Sequence, residues 1–236
     1  MKAVLGFDTA TSELTVAATA GGEVLADRAV GPDADGRPRH ATELLPALEA
    51  MLRELGGWER VERIAVGVGP GTFTGLRIGI ATARALAQAR GLGIAPVSSL
   101  AALAAGASGR DDAGARLAVL DARRSEVFAA LHEPDGAELW PPWVGAPGEL
   151  AERIAGLGTP PLAIGDGSVR FRDHLEAAGA EVPAGDDPIH RLRARHLCRL
   201  GEQARIRLPE EIKPNYLRRP DAELWRERDH RPPNGD

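Results

Sequence analysis

The segment of residues 63–90 constrains the fold of this chain more than any other part of its sequence. Residues 63–68 alternate in polarity and are rich in Ile and Val, which predicts a strand. Gly69 and Gly71 then crowd a turn, and from Gly75 the pattern becomes helical. A strand, a glycine-rich turn and a helix in this order resemble a phosphate cradle, because free backbone N–H groups and the helix dipole favour an anion there.

The glycine-rich turn has two interpretations. Its sequence, GPGTFTG, lacks the Gly-Lys-Ser/Thr ending of a phosphate-binding loop. It also lacks the acidic residue that a dinucleotide-binding unit carries after its following strand. We therefore favour a structural turn, in which the glycines permit positive φ angles and close backbone packing, over a phosphate site.

The helix after this turn has one face made of small residues. They recur every four positions, at Gly75, Gly79, Ala83 and Ala87, and therefore line one narrow face that lets another backbone approach closely. The helix carries few charged side chains. This pattern predicts a helix that is covered on most sides, by its own sheet and by a candidate partner.

Composition limits the class of protein. A chain of 236 residues suffices for one large domain or two small lobes without staples. The single cysteine, Cys198, excludes an internal disulfide, and we expect it to be a buried structural thiol. This cysteine usage and the lack of a signal peptide predict a cytoplasmic protein, and no apolar run approaches the length of a membrane span.

Charge is unevenly distributed along the chain. The formal net charge is −5, which argues against general affinity for nucleic acid, but residues 189–219 hold nine basic and three acidic residues. In a helix over 191–207, the four-residue spacing of Arg191, Arg195 and Arg199 would place these side chains on one face. Two interpretations compete for this stripe: a solvated basic face, which we favour, and a surface that contacts nucleic-acid phosphates.

The order of predicted elements in the first part of the chain indicates a ribonuclease-H-like lobe. The elements are strands at 2–7, 14–20, 23–30, 63–68 and 94–97 and helices at 40–55, 75–90 and 100–105. A meander of three antiparallel strands followed by two crossover units is the order of that lobe. It is the building block of the α/β superfamily that contains actin, the sugar kinases and Hsp70.

The rest of the chain predicts a smaller, degenerate second lobe of the same kind. Its elements are strands at 116–121, 126–132 and 162–164 and helices at 147–156, 168–178 and 191–207. We divide the chain into a partner-binding first lobe, a second lobe, a C-terminal helix that packs back on the first lobe, and a partly disordered tail, over 1–105, 106–188, 189–208 and 209–236. The Pro- and Trp-rich stretch at 140–147 receives no element.

The nucleotide site expected of this fold is only half present. Asp8 closes the first strand, where the superfamily uses a carboxylate to orient magnesium-bound water, but Ala10 occupies the position of a phosphate-loop glycine. A candidate vestigial nucleotide loop comprises Asp8, Thr9, Thr11, Gly69 and Gly71. In the second lobe the bulky, basic sequence DARRS at 121–125 stands where a matching Asp-Gly loop belongs. A full ATP clamp needs both loops, so a competent ATPase is not expected.

Other catalytic and metal-binding patterns are missing from the sequence. It contains no Gly-x-Ser-x-Gly elbow, no HExxH and no CxxC, and no metal site is predicted. Asp121 and Glu126 are either paired carboxylates or a chance pair in an acidic region. His40 is expected to contact a partner or cap its helix. The remaining histidines considered are expected at the surface: His174, His190, His196 and His230.

Long stretches of the chain resemble the bacterial TsaB family, also called YeaZ. In the first lobe these are LGFDTATSELTVA, HATELLPALEAML, VGVGPGTFTGLRIGIATARALA and APVSSLAALA, and further on LDARRSEVF and PNYLRRPDA. The resemblance implies a paralogue of TsaD, the subunit that transfers threonylcarbamoyl to N6 of the adenosine next to the anticodon in tRNAs reading codons that begin with A. It also implies a chain that lacks TsaD's metal-binding histidines, in agreement with the absence of an HxxxH pair here.

The resemblance implies a set of partners. TsaB pairs with TsaD through the two first-lobe helices, TsaE docks at the TsaB–TsaD seam, and ATP and metal belong to these partner subunits. Without TsaD, we expect a homodimer, and tRNA is reached through the complex. The predicted interface consists of Leu44, Leu45, Leu48, Met51, Leu52, Arg77, Ile80, Ala81 and Arg84. The alternative function is a weak ATPase of the kinase superfamily or a peptidase.

Overall fold

The first lobe is built on a mixed five-stranded sheet. A computed structural model of the chain describes residues 2–107, 110 and 114–218. The strands are β1 (Ala3–Asp8), β2 (Leu14–Ala20), β3 (Glu23–Val30), β4 (Val61–Gly67) and β5 (Gly93–Val97). Their order is β3-β2-β1-β4-β5, in which β1, β2 and β3 are antiparallel and β4 and β5 run parallel to β1. This is the ribonuclease-H-like order, and the predicted fold class is confirmed.

Two helices cover one face of this sheet and two cover the other. They are α1 (His40–Leu55), α2 (Phe73–Arg90) and α3 (Ser99–Ala105) in the first lobe, and α7 (Ala194–Gln203) near the C-terminus. Because strand side chains alternate between faces, Leu5 and Phe7 of β1 pack in the core under α1 and α2. Val4 packs on the opposite side with α3 and α7.

The small face of α2 is buried, as its spacing predicts. Gly75, Gly79, Ala83 and Ala87 are all buried, and α2 packs on β4, β5 and α1. The helix ends at Gly91, which adopts the left-handed conformation with φ of 64°. The small residues thus serve packing within this chain.

The second lobe repeats the first in reduced form. Its strands are β6 (Arg116–Arg123), β7 (Glu126–His132), β8 (Glu138–Gly145) and β9 (Leu162–Ile164), in the order β8-β7-β6-β9. Pairs β8-β7 and β7-β6 are antiparallel, and β9 is parallel to β6. The described sheet therefore matches the first one without its fifth strand. The helices are α4 (Pro147–Ala155), α5 (Asp166–Arg170) and α6 (Arg172–Ala177).

Two predictions for the second lobe were wrong. The stretch given no element contains most of β8, because Pro141 and Pro142, which argue against a central strand, are tolerated in a strand at the sheet edge. The single helix expected at 168–178 is two short helices, since the backbone breaks at Phe171, where φ is −113° and ψ is 28°.

The C-terminal part of the described chain binds both lobes. Arg207 and Ile94 exchange two backbone hydrogen bonds, of 2.8 and 3.1 Å, at the outer edge of β5. Ile212 is 2% exposed within the first-lobe core, and the Arg218 guanidinium donates to Glu126 of the second lobe at 2.7 Å. Residues 209–218 of the predicted tail thus pack on folded structure, and residues 219–236 lie outside the described residues.

Three short 3₁₀ turns complete the described elements, at Trp58–Arg60, Pro188–His190 and Pro209–Glu211. The helix expected at 191–207 begins only at Ala194, because Arg193 is extended with φ of −125° and ψ of 130°. Cys198 lies on the buried side of α7 and its thiol contacts the Ala17 carbonyl at 3.5 Å. Burial raises the pKa of this thiol, so the prediction of a buried structural thiol is confirmed.

Candidate functional site

The Asp8 carboxyl is buried and both of its oxygens accept hydrogen bonds. The side chain lies at the end of β1 and is 1% exposed. The Ala10 N–H donates to Oδ1 at 2.6 Å, and the Ser99 hydroxyl donates to Oδ2 at 2.7 Å. Burial raises the pKa of Asp8, and these two hydrogen bonds partly oppose that shift. The contact of Ser99, at the start of α3, with Asp8 was not predicted from the sequence, because no local signal links residues 91 positions apart.

The glycine-rich turn packs directly on the loop that follows Asp8. The Thr72 N–H donates to the Ala10 carbonyl at 2.8 Å, and the Thr9 hydroxyl donates to the Gly75 carbonyl at 2.8 Å. A Cβ added at Gly71 would lie 2.4 Å from the Ala10 Cβ, and one at Gly75 would lie 2.0 Å from the Thr9 carbonyl oxygen. The geometry thus favours the structural interpretation of these glycines, since two backbones meet where a phosphate would need room.

Of the candidate nucleotide loop, the structure brings together Asp8, Thr9 and the glycine-rich turn, while Thr11 lies at the far end of its loop. The Thr11 hydroxyl bonds locally to Glu13 at 3.1 Å, and its carbonyl oxygen is 2.9 Å from Nε2 of His40. His40 is 3% exposed, and burial lowers its pKa. Its expected role as a partner contact or cap was wrong, because the ring is enclosed and holds the Thr11 carbonyl.

The second-lobe loop is held by arginine contacts. The Asp121 carboxylate accepts from the Arg123 N–H at 2.8 Å and from the Arg170 guanidinium at 2.6 Å. Arg123, Arg124 and Ser125 all have positive φ, at 63°, 54° and 58°. Glu126 pairs with the C-terminal segment instead, so the interpretation of Asp121 and Glu126 as paired carboxylates was wrong.

A cleft of about 280 Å³ lies between the glycine-rich turn of the first lobe and the Asp121–Arg124 loop of the second lobe. Its walls include the start of α2, the Asp121–Arg124 loop and Tyr216. In the described residues no group of three or more His, Cys, Asp or Glu side chains could hold a metal ion. The cleft therefore offers arginine, hydroxyl and aromatic side chains, and its lining carboxylate, Asp121, is engaged in hydrogen bonds.

The predicted partner interface divides into buried and exposed residues. Four side chains lie in the core of the chain itself: Leu44, Leu48, Met51 and Ile80. These side chains lie on the faces of α1 and α2 that cover the first-lobe sheet, so they cannot also contact a partner. The exposed or half-buried members form what we call the helix face: Leu45, Leu52, Arg77, Ala81 and Arg84. Leu45 is 59% exposed.

Aromatic residues flank the helix face at the start of α2. The Phe73 and Tyr216 ring centroids are 5.1 Å apart, and the Arg77 guanidinium lies 5.1 Å from the Phe73 centroid. Sequence reasoning missed this cluster, because Tyr216 reaches α2 only through the path of the C-terminal segment. The cluster fixes Arg77 at one end of the helix face.

The basic stripe predicted near the C-terminus is not one helix face. Arg191 precedes α7, Arg195 pairs with Asp27 at 2.8 Å, and Arg199 is exposed on the helix. The surface position predicted for His190 was also wrong: the ring is 6% exposed and Nδ1 accepts from the Gly165 N–H at 3.1 Å.

Two other predicted surface histidines have different outcomes. His174 is exposed and His196 is half-buried, and His230 lies outside the described residues.

None of the helices in the described part of the chain combines the length and apolar character needed to cross a bilayer.

Comparison with known proteins places these features in context. The family model described as "TsaD: tRNA N6-adenosine threonylcarbamoyltransferase" matches residues 32–158, which include α1 and α2. The Escherichia coli (strain K12) protein named tRNA threonylcarbamoyladenosine biosynthesis protein TsaB is 31% identical over 229 residues, 91% of this chain and 94% of that protein. The Bacillus subtilis (strain 168) protein of the same name is 28% identical over 199 residues, 79% and 83% of the two chains.

A solved structure agrees over nearly the whole chain. YeaZ from Pseudomonas aeruginosa superposes with a TM-score of 0.77 at 27% sequence identity, and the match covers 92% of this chain and 100% of that one. The shared region therefore includes both lobes as well as the helix pair.

Proposed function

The chain belongs to the TsaB family, and we propose that it acts in tRNA threonylcarbamoyladenosine biosynthesis as a non-catalytic subunit that binds and supports TsaD. The product of the assembly is N6-threonylcarbamoyladenosine at the adenosine next to the anticodon, in tRNAs reading codons that begin with A. TsaE joins at the TsaB–TsaD seam in this proposal. ATP and metal are held by the partner subunits, and the chain alone forms a homodimer in the cytoplasm.

The observation that carries this proposal is the helix face. Leu45 on α1 is 59% exposed, and the small residue Ala81 is exposed on α2, the helix that packs against α1. A partner helix that covers α1 and α2 would bury the exposed Leu45 side chain and could approach closely at Ala81, whose side chain is small. Arg77 and Arg84 border this surface and supply charges at its rim, where interfaces are typically polar.

The closed loop around Asp8 supports the non-catalytic part of the proposal. An Asp that orients metal-bound water must be reachable by that water, whereas the Asp8 carboxyl is 1% exposed and both of its oxygens accept hydrogen bonds from the protein. The glycine-rich turn occupies the adjoining space with its own backbone. The second lobe contributes an arginine-rich loop in place of an Asp-Gly phosphate loop.

Co-elution with TsaD tests the proposal. Ala81→Glu introduces a charge at the centre of the helix face, and burying an unpaired charge at an interface anchor should weaken binding by ~2 kcal/mol or more, roughly 30-fold. The matched control is Ala155→Glu, which adds the same charge at an exposed helical position of the second lobe. Equal co-elution of TsaD with both variants would refute the assigned surface.

A further inference from the structure

A cavity of about 290 Å³ opens beside the start of α7, and four arginines line it. The charged side chains that line it are Arg110, Asp187, Arg191, Arg193 and Arg195, and the imidazole of His196 completes the set. It lies where the Pro188–His190 turn leads into α7 and is separate from the cleft between the two loops.

Among the described residues, the carboxylates that pair with the arginines around this cavity are fewer than those arginines. Asp187 accepts from Arg110 at 2.6 Å. One carboxylate, Asp27, serves both Arg193 and Arg195, at 3.1 and 2.8 Å.

Two further charged side chains lie close to this group, one acidic and one basic. Glu13 is 3.9 Å from Arg193, while the exposed Arg199 adds positive charge near His196. Among the described residues, five arginines thus stand against three carboxylates that pair with them, and Arg191 is exposed at the rim without an ion pair there.

Burial and the surrounding arginines both disfavour the protonated form of His196. The pKa of the imidazole is lowered to about 4, first because it is partly buried and then because Arg195, Arg199 and Arg193 disfavour a further cation. The Arg195 Nε–H donates to Nε2 of His196 at 3.1 Å, so the neutral ring carries its proton on Nδ1 and remains a hydrogen-bond donor. The local potential therefore favours an anion.

We propose that this cavity is an oxyanion site that takes a phosphate group of an RNA backbone, with Arg191 and Arg195 as its main contacts. A guanidinium offers two parallel N–H donors to a phosphate, and such charge-assisted pairs are stronger than neutral hydrogen bonds. Phosphate contacts position an RNA without reading its sequence. The proposal rests on the proposed function, in which the RNA is the tRNA held by the assembly with TsaD.

The first experiment uses the chain alone with inorganic phosphate. Bound phosphate should raise the pKa of His196, measured from its imidazole NMR signals against chloride at matched ionic strength. Arg191→Glu should abolish this rise of the His196 pKa. The substitution should not disturb the fold, because Arg191 is exposed and forms no ion pair with any described residue. Arg205→Glu, an equal charge change beyond the other end of α7, is the control and should keep it.

The second experiment measures tRNA affinity of the assembly with TsaD over a salt series. Arg191→Glu should lower the slope of log affinity against log salt by at least one phosphate contact, ~0.7–0.9, and Arg205→Glu should not. TsaD co-elution is recorded in the same samples. If wild-type chain fails to bind TsaD, the proposed function falls, while the phosphate titration still tests the cavity.

Three results would overturn the proposal of an RNA phosphate site. They are an unchanged pKa of His196 in phosphate, an equal loss of slope in the variant and its control, and a phosphate response without any change of slope. The last result would identify a free-phosphate site and exclude RNA as its source.

Discussion

Replacing Gly75 by Ala tests whether the glycine-rich turn exists for packing. The new Cβ would lie 2.0 Å from the Thr9 carbonyl oxygen, well inside ordinary van der Waals contact. That oxygen belongs to backbone, and the neighbouring Ala10 is held on both sides, by Asp8 through its N–H and by Thr72 through its carbonyl. The two segments must therefore separate, since neither can rotate out of the way.

The expected loss follows from three contributions. Overpacking of a close-packed site destabilises by ~1–3 kcal/mol. Separation also weakens the hydrogen bond from the Thr9 hydroxyl to the Gly75 carbonyl, a loss of about 1 kcal/mol. The better helix propensity of Ala offsets roughly 1 kcal/mol. The net destabilisation is ~2 kcal/mol, which corresponds to a Tm lowered by roughly 4–8 °C for a chain of this size.

Urea unfolding followed by circular dichroism measures this change. The control is Gly148→Ala on α4, where an added Cβ meets nothing within 4 Å and the helix propensity should stabilise the protein slightly. We expect a lower midpoint for Gly75→Ala with an unchanged slope and no such decrease for the control. A Gly75→Ala variant as stable as the wild type would refute the packing role of the turn.

Two further predictions concern titratable side chains. Asp8→Ala should leave tRNA modification by the reconstituted assembly within a few-fold of wild type, because its carboxylate is engaged in hydrogen bonds; a loss of many hundredfold with TsaD still bound would indicate a nucleotide role. The pKa of His196 is lowered from 6.5 to about 4, so the unfolded chain binds more protons between these values and stability should rise with pH across that window. His196→Gln should flatten this rise in urea midpoints, and an identical pH dependence in the variant would contradict the assignment.

The first lobe was predictable because its signals are local. The alternation of strand residues and the helical spacing of small residues in α2 each act within a few residues, and the element order then implies the sheet topology. The second lobe was harder to predict. Pro141 and Pro142 are tolerated in β8 because it is an edge strand, and which strand lies at the edge is known only once the sheet is assembled.

The sequence by itself determined the fold class, the family and which residues could carry function, because these depend on local pattern and ordered motifs. Only the tertiary structure decided which of them are available. Periodicity groups Leu44 with Leu45, whereas the sheet covers the first and leaves the second 59% exposed. Likewise, the sequence allows Asp8 to be a metal-orienting carboxylate, whereas the fold leaves its side chain 1% exposed and hydrogen-bonded to Ser99, which is distant in the chain. Availability depends on contacts between segments far apart in sequence, which local patterns do not encode.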